Sequence, residues 1–368
     1  MEAKILDLTE NKGELSFTLK GVNYSLANGL RRTCISNIDT VVFRTTPYEK
    51  NDSTFEINNT RFNNEILKQR LSCIPIHIQD IQGFPHEQYI MECHVQNNTD
   101  AILYITTKDF KIKNVLTNDY ISQEQRDKIF PKNKFTGEYI KFCRLRPKIS
   151  DEVLGEELKM NCKFSLGNVS ENSMFNVLSL CSYGNTLDVI KINETWDKLE
   201  EKYRNEGLTQ QEIIFNKNNW LALDSKRIFE ENSFDFKIKS IGVYSNRYIV
   251  TEACKVIIGY FEKLKILLKD NEIKIIPSDT TVVNTYDICL FNHGFTVGKI
   301  IEYILHNIYF EKEKKLTYVG FNKNHPHDDY SYVRVSLDRE YDMSTLNIIL
   351  NNTFDLAIKI YMEIKEQL

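Results

Sequence analysis

The longest periodic signal in the chain begins after Ser245 and predicts one long amphipathic helix. Its apolar residues recur at short helical spacings, which is the pattern of a helix with one buried face. They are Ile249, Ala253, Val256, Ile257, Tyr260, Phe261, Leu264, Leu267 and Leu268. At 1.5 Å per residue this helix is about 30 Å long, so its stripe is too long for the outer surface of a single small domain. We therefore expect other helices of the chain to cover it.

The last part of the chain, residues 272–368, supplies candidates for those covering helices. One helix is predicted to begin at Thr296, strands are predicted at 317–321 and 332–337, and a second helix follows them. The apolar faces of the two helices are Val297, Ile301, Ile304, Leu305 and Ile308 in the first, and Leu346, Ile349, Leu350, Ala357, Ile360 and Ile364 in the second. We predict that these faces and the long helix bury one another.

An earlier helix is predicted from Ser25 to Ile38, following a strand of alternating apolar residues. Ser25 can cap it by accepting a hydrogen bond from a free backbone N–H. Its apolar stripe consists of Leu26, Leu30, Cys34 and Ile38. Aligning Ser25 with Thr296 places Leu26 on Val297, which is a weak internal repeat of one strand–helix unit and is expected of two related domains in one chain.

The stripes of the long helix and of the two later helices predict a shared apolar core, and the family resemblance given below extends this core to the first helix. Its predicted members are Leu26, Leu30, Ile257, Phe261, Leu264, Val297, Ile301, Ile304, Leu346, Ile349 and Ile360. Asn28, Arg31 and Arg32 lie off the stripe of the first helix and present hydrogen-bond donors away from this core. From the residues alone, that face is either a solvated basic surface or a site for a partner.

The length, charge and cysteines limit the class of protein. A chain of 368 residues suggests two or three domains. The chain has 47 basic and 51 acidic residues, and its net charge of −4 does not indicate a nucleic-acid-binding surface. No apolar run reaches the length needed to span a membrane. The eight cysteines are scattered without a Cys-x-x-Cys pair, so we expect free thiols in a reducing compartment.

Residues from about 76 to 232 have short strand-forming runs in place of the long helical stripes, and they predict a β-rich insert. Short runs of strand-forming residues occur at 90–95, 102–107, 139–145 and 158–166, and turn residues separate them. A polar helical stretch is predicted from Thr195 to about Gly207. At Ser233 an alternating strand leads back into the first domain.

Two short motifs suggest chemistry, and in each case we favour a structural interpretation. Residues 294–300 (GFTVGKI) are one residue short of a phosphate-binding loop, and Ile300 stands where a Ser or Thr would hold magnesium. Residues 325–329 (HPHDD) contain possible metal ligands, but they all lie in one turn without a distant ligand set. We therefore expect no metal. A metal-dependent enzyme using residues 325–329 remains the alternative, and a free-standing nucleic-acid-binding module is a further rival.

Residues 26–32 (LANGLRR) resemble the Asn-x-Leu-Arg-Arg helix of the RNA polymerase alpha-type assembly subunits. That family includes the bacterial alpha protein, its archaeal D-type counterpart and the third subunit of eukaryotic RNA polymerase II. Residues 67–76 resemble a second family segment, His-Arg-Leu-Gly-Leu-Ile-Pro-Leu, with matches at Arg70, Leu71, Ile74 and Pro75.

The end of the chain resembles the smaller alpha-type partner, which is the archaeal L-type protein or the eleventh subunit of RNA polymerase II. The similarity rests on residues 293–298, the pair His325 and Pro326, and the long final helix. Lys299 and Glu302 stand where that family has Asn and Arg. A covalent fusion of both partners is similar to the arrangement in large cytoplasmic DNA viruses of the asfarvirus type.

The resemblance implies an α+β fold in which two alpha-type dimerisation domains form an intramolecular pseudo-dimer. The implied domains are a third-subunit-like domain at 1–80 and 233–271, a β-rich insert at 81–232, and an eleventh-subunit-like domain at 272–368. It implies a non-catalytic assembly platform of a multisubunit DNA-directed RNA polymerase, without a cofactor.

The implied partners are the largest and second-largest polymerase subunits, which would dock on Asn28, Arg31 and Arg32, and small subunits of the tenth-subunit type. DNA would be reached only indirectly through the complex, and no membrane is involved. The implied location is intracellular, in the host cytoplasm and virion if the protein is viral.

Overall fold

The computed structural model describes residues 2–150, 152, 154–339 and 343–368. The chain divides into two compact units. The first consists of Met1–Cys34, Leu180–Lys239 and Asn246–Leu368, and the second of Ile35–Ser179 and Ser240–Ser245. Each unit is described separately below.

Helices and sheets are both present in quantity, which confirms the expectation of a mixed fold. The strands are β1 (Lys4–Asn11), β2 (Glu14–Lys20), β3 (Thr40–Val42), β4 (Ser53–Asn58), β5 (Tyr89–Gln96), β6 (Leu103–Thr106), β7 (Lys111–Asn114), β8 (Lys141–Leu145), β9 (Glu157–Lys163), β10 (Ser165–Gly167), β11 (Leu178–Leu187), β12 (Phe229–Ser240), β13 (Ile275–Pro277), β14 (Thr285–Phe291), β15 (Leu316–Asn322) and β16 (Tyr330–Leu337). The α-helices are α1 (Tyr24–Ser36), α2 (Asn64–Ser72), α3 (Gln123–Ile129), α4 (Val189–Asn205), α5 (Gln210–Ala222), α6 (Asn246–Lys269), α7 (Phe295–Leu305) and α8 (Met343–Glu366).

The first unit contains two four-stranded sheets. In one the strand order is β1-β2-β12-β11, and in the other it is β13-β14-β16-β15. In the first sheet, β12 pairs with β2 so that Phe236 lies opposite Phe17 and Ile238 opposite Leu15. All four side chains are buried, and the two phenylalanine rings stack with their centroids 5.0 Å apart. This face of the sheet is therefore apolar, as the alternating sequence pattern requires.

Helix α1 begins at Tyr24 and ends at Ser36, which differs slightly from the predicted span of 25–38. The predicted cap, Ser25, lies inside the helix, and its backbone N–H donates to the side-chain oxygen of Asn23 at 2.9 Å. Asn23 is thus the capping residue, since asparagine caps helices as well as serine does. Ile38 is buried but lies beyond the end of the helix.

The long helices α6 and α8 pack against each other and form the centre of this unit. Phe261 of α6 and Phe354 of α8 are fully buried, with ring centroids 6.0 Å apart. Each large apolar side chain that is buried in this way contributes about 1.5–3 kcal/mol of transfer free energy. At the helix surface, Lys265 of α6 pairs with Asp355 of α8.

Helix α7 packs against the second sheet and against α8. Gly298 allows this close approach, because a Cβ at that position would lie 2.0 Å from the Phe321 ring. A π-helical segment, His306–Lys312, continues α7. The wider turn changes the predicted stripe, so that Tyr309 is buried and Ile308 is only partly buried.

The second unit is built on a sheet with strand order β4-β9-β5-β7, accompanied by the pairs β6-β8 and β10-β3. Phe43, Leu67 and Leu71 belong to its core. Arg70 links α2 to β8 by two hydrogen bonds. Its Nε atom donates to the carbonyl oxygen of Phe142 at 2.7 Å, and its Nη2 atom donates to the carbonyl oxygen of Lys141 at 2.9 Å. Strands β3 to β10 all lie in the second unit, together with the helices α2 and α3.

The division of the structure differs from the predicted boundaries at residues 80 and 232. Residues 35–80 belong to the second unit, because their apolar side chains pack into its core. Residues 180–232 belong to the first unit, because β11 extends the sheet formed by β1, β2 and β12. They include α5, a helix that the periodicity did not predict.

Candidate subunit interface

Helix α1 has two faces of opposite character. The inner face contacts the apolar core, and Leu26, Leu30 and Cys34 on it are fully buried. Tyr24, Asn28, Arg31 and Arg32 share the other side of the helix, since they fall within about 100° of one another at 3.6 residues per turn. We call these four residues the outer face of α1. The helix therefore holds the predicted polar residues at a fixed place on the first unit.

The structure separates the roles of the two arginines. The Nε and Nη2 atoms of Arg31 donate to the Oδ1 atom of Asn28 at 3.0 and 2.9 Å, so Asn28 holds the guanidinium against the helix. Arg32 is exposed. Within the described ranges it makes no hydrogen bond or ion pair, which leaves all of its donors available.

The predicted core residues are all buried, and they all lie in the first unit. They are Leu26 and Leu30 on α1, Ile257, Phe261 and Leu264 on α6, Val297, Ile301 and Ile304 on α7, and Leu346, Ile349 and Ile360 on α8. The helix pairs α6 and α8, and α7 and α8, are in direct contact. The apolar stripes of both ends of the chain thus meet in one unit.

Two contacts join α1 to the final part of the chain. The Tyr361 hydroxyl on α8 donates to the carbonyl oxygen of Leu26 at 2.9 Å in the buried interior. Gly29 lies beside α7 and α8, because a Cβ at this position would be 2.9 Å from Ile300 and from the Tyr361 hydroxyl. Only glycine allows the three helices to approach one another this closely without rearrangement.

Buried cysteines lie near α1 and behave as apolar core residues. The pKa of the Cys34 thiol is raised well above its ordinary range, first by a hydrogen bond with Cys181 and then by burial. Burial also raises the pKa of Cys254 to about 12. Such thiols stay protonated and unreactive. All eight cysteines are free.

A groove that sequence reasoning missed adjoins the outer face of α1. It has a volume of about 580 Å³, and its side chains include Tyr24, Tyr183, Phe229, Phe234, Glu230 and Glu231. We call these six residues the acidic–aromatic groove. Burial raises the pKa of Tyr183, and the nearby charge of Arg31 opposes that rise. The groove could not be recognised in the sequence, because its members come from α1, β11 and β12.

The two motifs that suggested other chemistry have structural roles. In residues 325–329, the backbone N–H of His325 donates to the Oδ2 atom of Asp328 at 2.9 Å, and the N–H of Asp328 donates to the carbonyl of His325 at 3.1 Å. This is a hydrogen-bonded turn. Lys299 lies inside α7, where its Nζ atom is 2.5 Å from a carboxylate oxygen of Glu302.

The described residues contain no group of three or more His, Cys, Asp or Glu side chains that could hold a metal ion. No helix among them is apolar and long enough to cross a membrane.

The fold defines a domain whose long helices bury their apolar faces against other helices. The polar outer face of α1 stays accessible on this domain. The family model of the RNA polymerase Rpb3/Rpb11 dimerisation domain matches residues 16–261, which is more than half of the chain. The chain belongs to this family.

A curated relative is the DNA-directed RNA polymerase subunit Rpo3 of Methanosphaera stadtmanae. The two are 23% identical over 265 residues, an alignment that covers 66% of this chain and 89% of the relative. Both the family match and the relative support the resemblance to alpha-type polymerase subunits. The family match ends within α6 and does not include residues 272–368.

Proposed function

We propose that this protein is a non-catalytic assembly subunit of a multisubunit DNA-directed RNA polymerase. Its membership in the dimerisation family and its similarity to an Rpo3 subunit support this role. The observation that carries the proposal is the division of α1 into a buried apolar face and an outer face whose Arg32 is exposed and has no hydrogen-bond or ion-pair partner among the described residues. A scaffold of this kind positions other subunits and takes no part in nucleotidyl transfer itself.

We further propose that residues 272–368 act as a fused dimerisation partner, so that the chain forms an intramolecular pseudo-dimer. The mutual packing of α6 and α8, which have the same length of 24 residues, supports this arrangement. The segment after α8 also meets β1, where the backbone N–H of Ile5 donates to the Oε1 atom of Gln367 at 2.8 Å. In this proposal the second unit is the β-rich insert. A fusion of this type fits the viral context that the sequence resemblance implies.

The outer face of α1 is the proposed docking site for the two largest polymerase subunits, and most directly for the second largest. Arg32 would supply the main contact, because a guanidinium makes paired hydrogen bonds with a carboxylate. Asn28 would hold Arg31 in a fixed direction beside it. Small subunits of the tenth-subunit type are further proposed partners, and DNA would be contacted only through the complex.

The test is the substitution Arg32→Ala in the full chain, with assembly measured by pull-down of the two largest polymerase subunits. Loss of an interfacial charge contact costs about 2–5 kcal/mol of association free energy, so recovery of the large subunits should fall strongly. Arg61→Ala is the matched control, since Arg61 is also exposed and makes no hydrogen bond or ion pair within the described ranges. Full recovery with Arg32→Ala, in a protein whose circular dichroism is unchanged, would refute the docking role.

A further inference from the structure

The acidic–aromatic groove lies next to the outer face of α1 and shares Tyr24 with it. Tyr24 is 65% exposed although it is a large aromatic residue on a well-packed helix. Phe229 is also exposed, at the start of β12. Aromatic rings that stay accessible beside a polar helix face are typical of surfaces that bind a partner.

The walls of the groove are held in place by packing below them. The Tyr183 ring makes edge-to-face contact with Phe234 at a centroid distance of 5.2 Å, and it lies at the same distance from Phe236. At the N-terminus of α1, Gly21 has a φ of +83°, and a Cβ there would lie 2.3 Å from the carbonyl oxygen of Glu2. The turn that presents Tyr24 is therefore specified by glycine.

The charge of the groove is opposite to that of the neighbouring helix face. Glu230 forms an ion pair with Lys20, with 2.5 Å between the Nζ and Oε2 atoms. Glu231 is exposed and makes no hydrogen bond or ion pair within the parts of the chain that the structure describes. A cation placed in the groove would lie near this carboxylate and the exposed aromatic rings of Tyr24 and Phe229, and both kinds of group attract a positive charge.

On this basis we propose that the groove receives a lysine or arginine side chain from the same polymerase component that binds α1. The inference rests on the proposed docking function and adds a second contact of opposite sign. The partner would carry a carboxylate opposite Arg32 and a cation opposite Glu231. Two contacts of opposite sign fix the orientation of a partner better than a single basic face does, because a shifted or reversed partner would bring like charges together.

The experiment measures binding of the full chain to the second-largest subunit across a series of salt concentrations. Glu231→Lys should weaken binding about tenfold at low salt, and the difference should narrow as salt rises. Tyr24→Ala should also weaken binding. The controls are Glu262→Lys, at an exposed glutamate of α6, and Tyr48→Ala, at a tyrosine that is 85% exposed in the second unit. Both controls should bind as the unsubstituted chain does.

A photoreactive benzoylphenylalanine in place of Tyr24 identifies the occupant of the groove by cross-linking. The cross-linked peptide should come from the polymerase subunit and contain a lysine or arginine. Replacing that residue by glutamate should restore binding to the Glu231→Lys variant. Cross-links to a second copy of this chain, or to a peptide without a basic residue, would overturn the proposal.

The outcomes separate the two proposals. If Arg32→Ala weakens binding while Glu231→Lys and Tyr24→Ala do not, the groove is not part of the interface and the docking role stands. If Arg32→Ala and both groove variants bind at full strength, the docking role is refuted as well. Circular dichroism of each variant confirms that the chain has folded.

Discussion

The substitution Phe354→Ala tests whether both ends of the chain share one core. Phe354 lies on α8 and is fully buried, with its ring centroid 6.0 Å from that of Phe261 on α6. Truncation of a buried phenylalanine costs about 3–5 kcal/mol, because transfer free energy is lost and a cavity remains. In a unit of this size each kcal/mol lowers the melting temperature by about 2–4 °C, so the expected decrease is about 6–20 °C.

Thermal unfolding followed by circular dichroism measures the decrease, and Ile348→Ala is the control. Ile348 is on the same helix but is 60% exposed, so its truncation should change stability by less than about 0.5 kcal/mol. Hydrogen exchange then locates the effect. Amides of α1 and α6 should lose protection together with those of α8, since the three helices share a core. Loss of protection in α8 alone would show that the tail is an independent domain and refute this reasoning.

Two further predictions concern the same core. Tyr361→Phe should lower the free energy of unfolding by about 1 kcal/mol, because the buried hydrogen bond from the Tyr361 hydroxyl to the carbonyl of Leu26 is lost; an unchanged urea midpoint would contradict this. The free energy of unfolding should also fall as the pH rises above 9, because the pKa of Cys254 is about 12 in the folded chain and near 9 when unfolded. The raised pKa stabilises the fold below pH 9, and this contribution is lost as the pH approaches 12. Urea unfolding of Cys254→Ala should therefore depend less on pH over this range, and identical pH dependence would contradict the prediction.

The parts of the fold that the sequence predicts are those with long, regular periodicity. The stripe from Ile249 to Leu268 predicted α6 almost to its ends, because a helix buried on one side must repeat apolar residues along its whole length. The same argument found α8. Predicted strands such as 332–337 also lie within observed strands, since alternation is strict where one face is buried.

Helix α5 was missed because its apolar residues are clustered at 213–215 and 220–222 and do not repeat as a stripe, and only Ile213 is buried on it. A local signal did exist at its start. The side chain of Thr209 accepts a hydrogen bond from the backbone N–H of Glu212, and the backbone N–H of Thr209 donates to the carboxylate of Glu212. This capping box is visible in the sequence as Thr-x-x-Glu. Short capping motifs thus identify helices whose surroundings provide no apolar stripe.

The unit boundaries and the groove depend on contacts that no local pattern contains. Residues 35–80 were predicted to belong to the first domain because the β-rich pattern begins only near residue 76, but Phe43 and Leu71 pack into the other core. Likewise, Tyr183 and Phe229 meet only because β11 lies at the edge of the sheet next to β12. Strand order between distant segments follows from tertiary packing, which periodicity does not determine.

The predicted strand–helix repeat allows the proposed docking face on α1 to be compared with the corresponding face of α7. In the alignment of α1 with α7, Asn28 corresponds to Lys299 and Arg31 to Glu302. On α1, a neutral amide holds a guanidinium, so Arg31 keeps its charge and adds to that of Arg32. On α7, Lys299 and Glu302 form an ion pair at 2.5 Å, and their charges cancel. In the proposed docking, an acidic partner surface would therefore distinguish the two helices by charge, although both turn an apolar stripe toward the core.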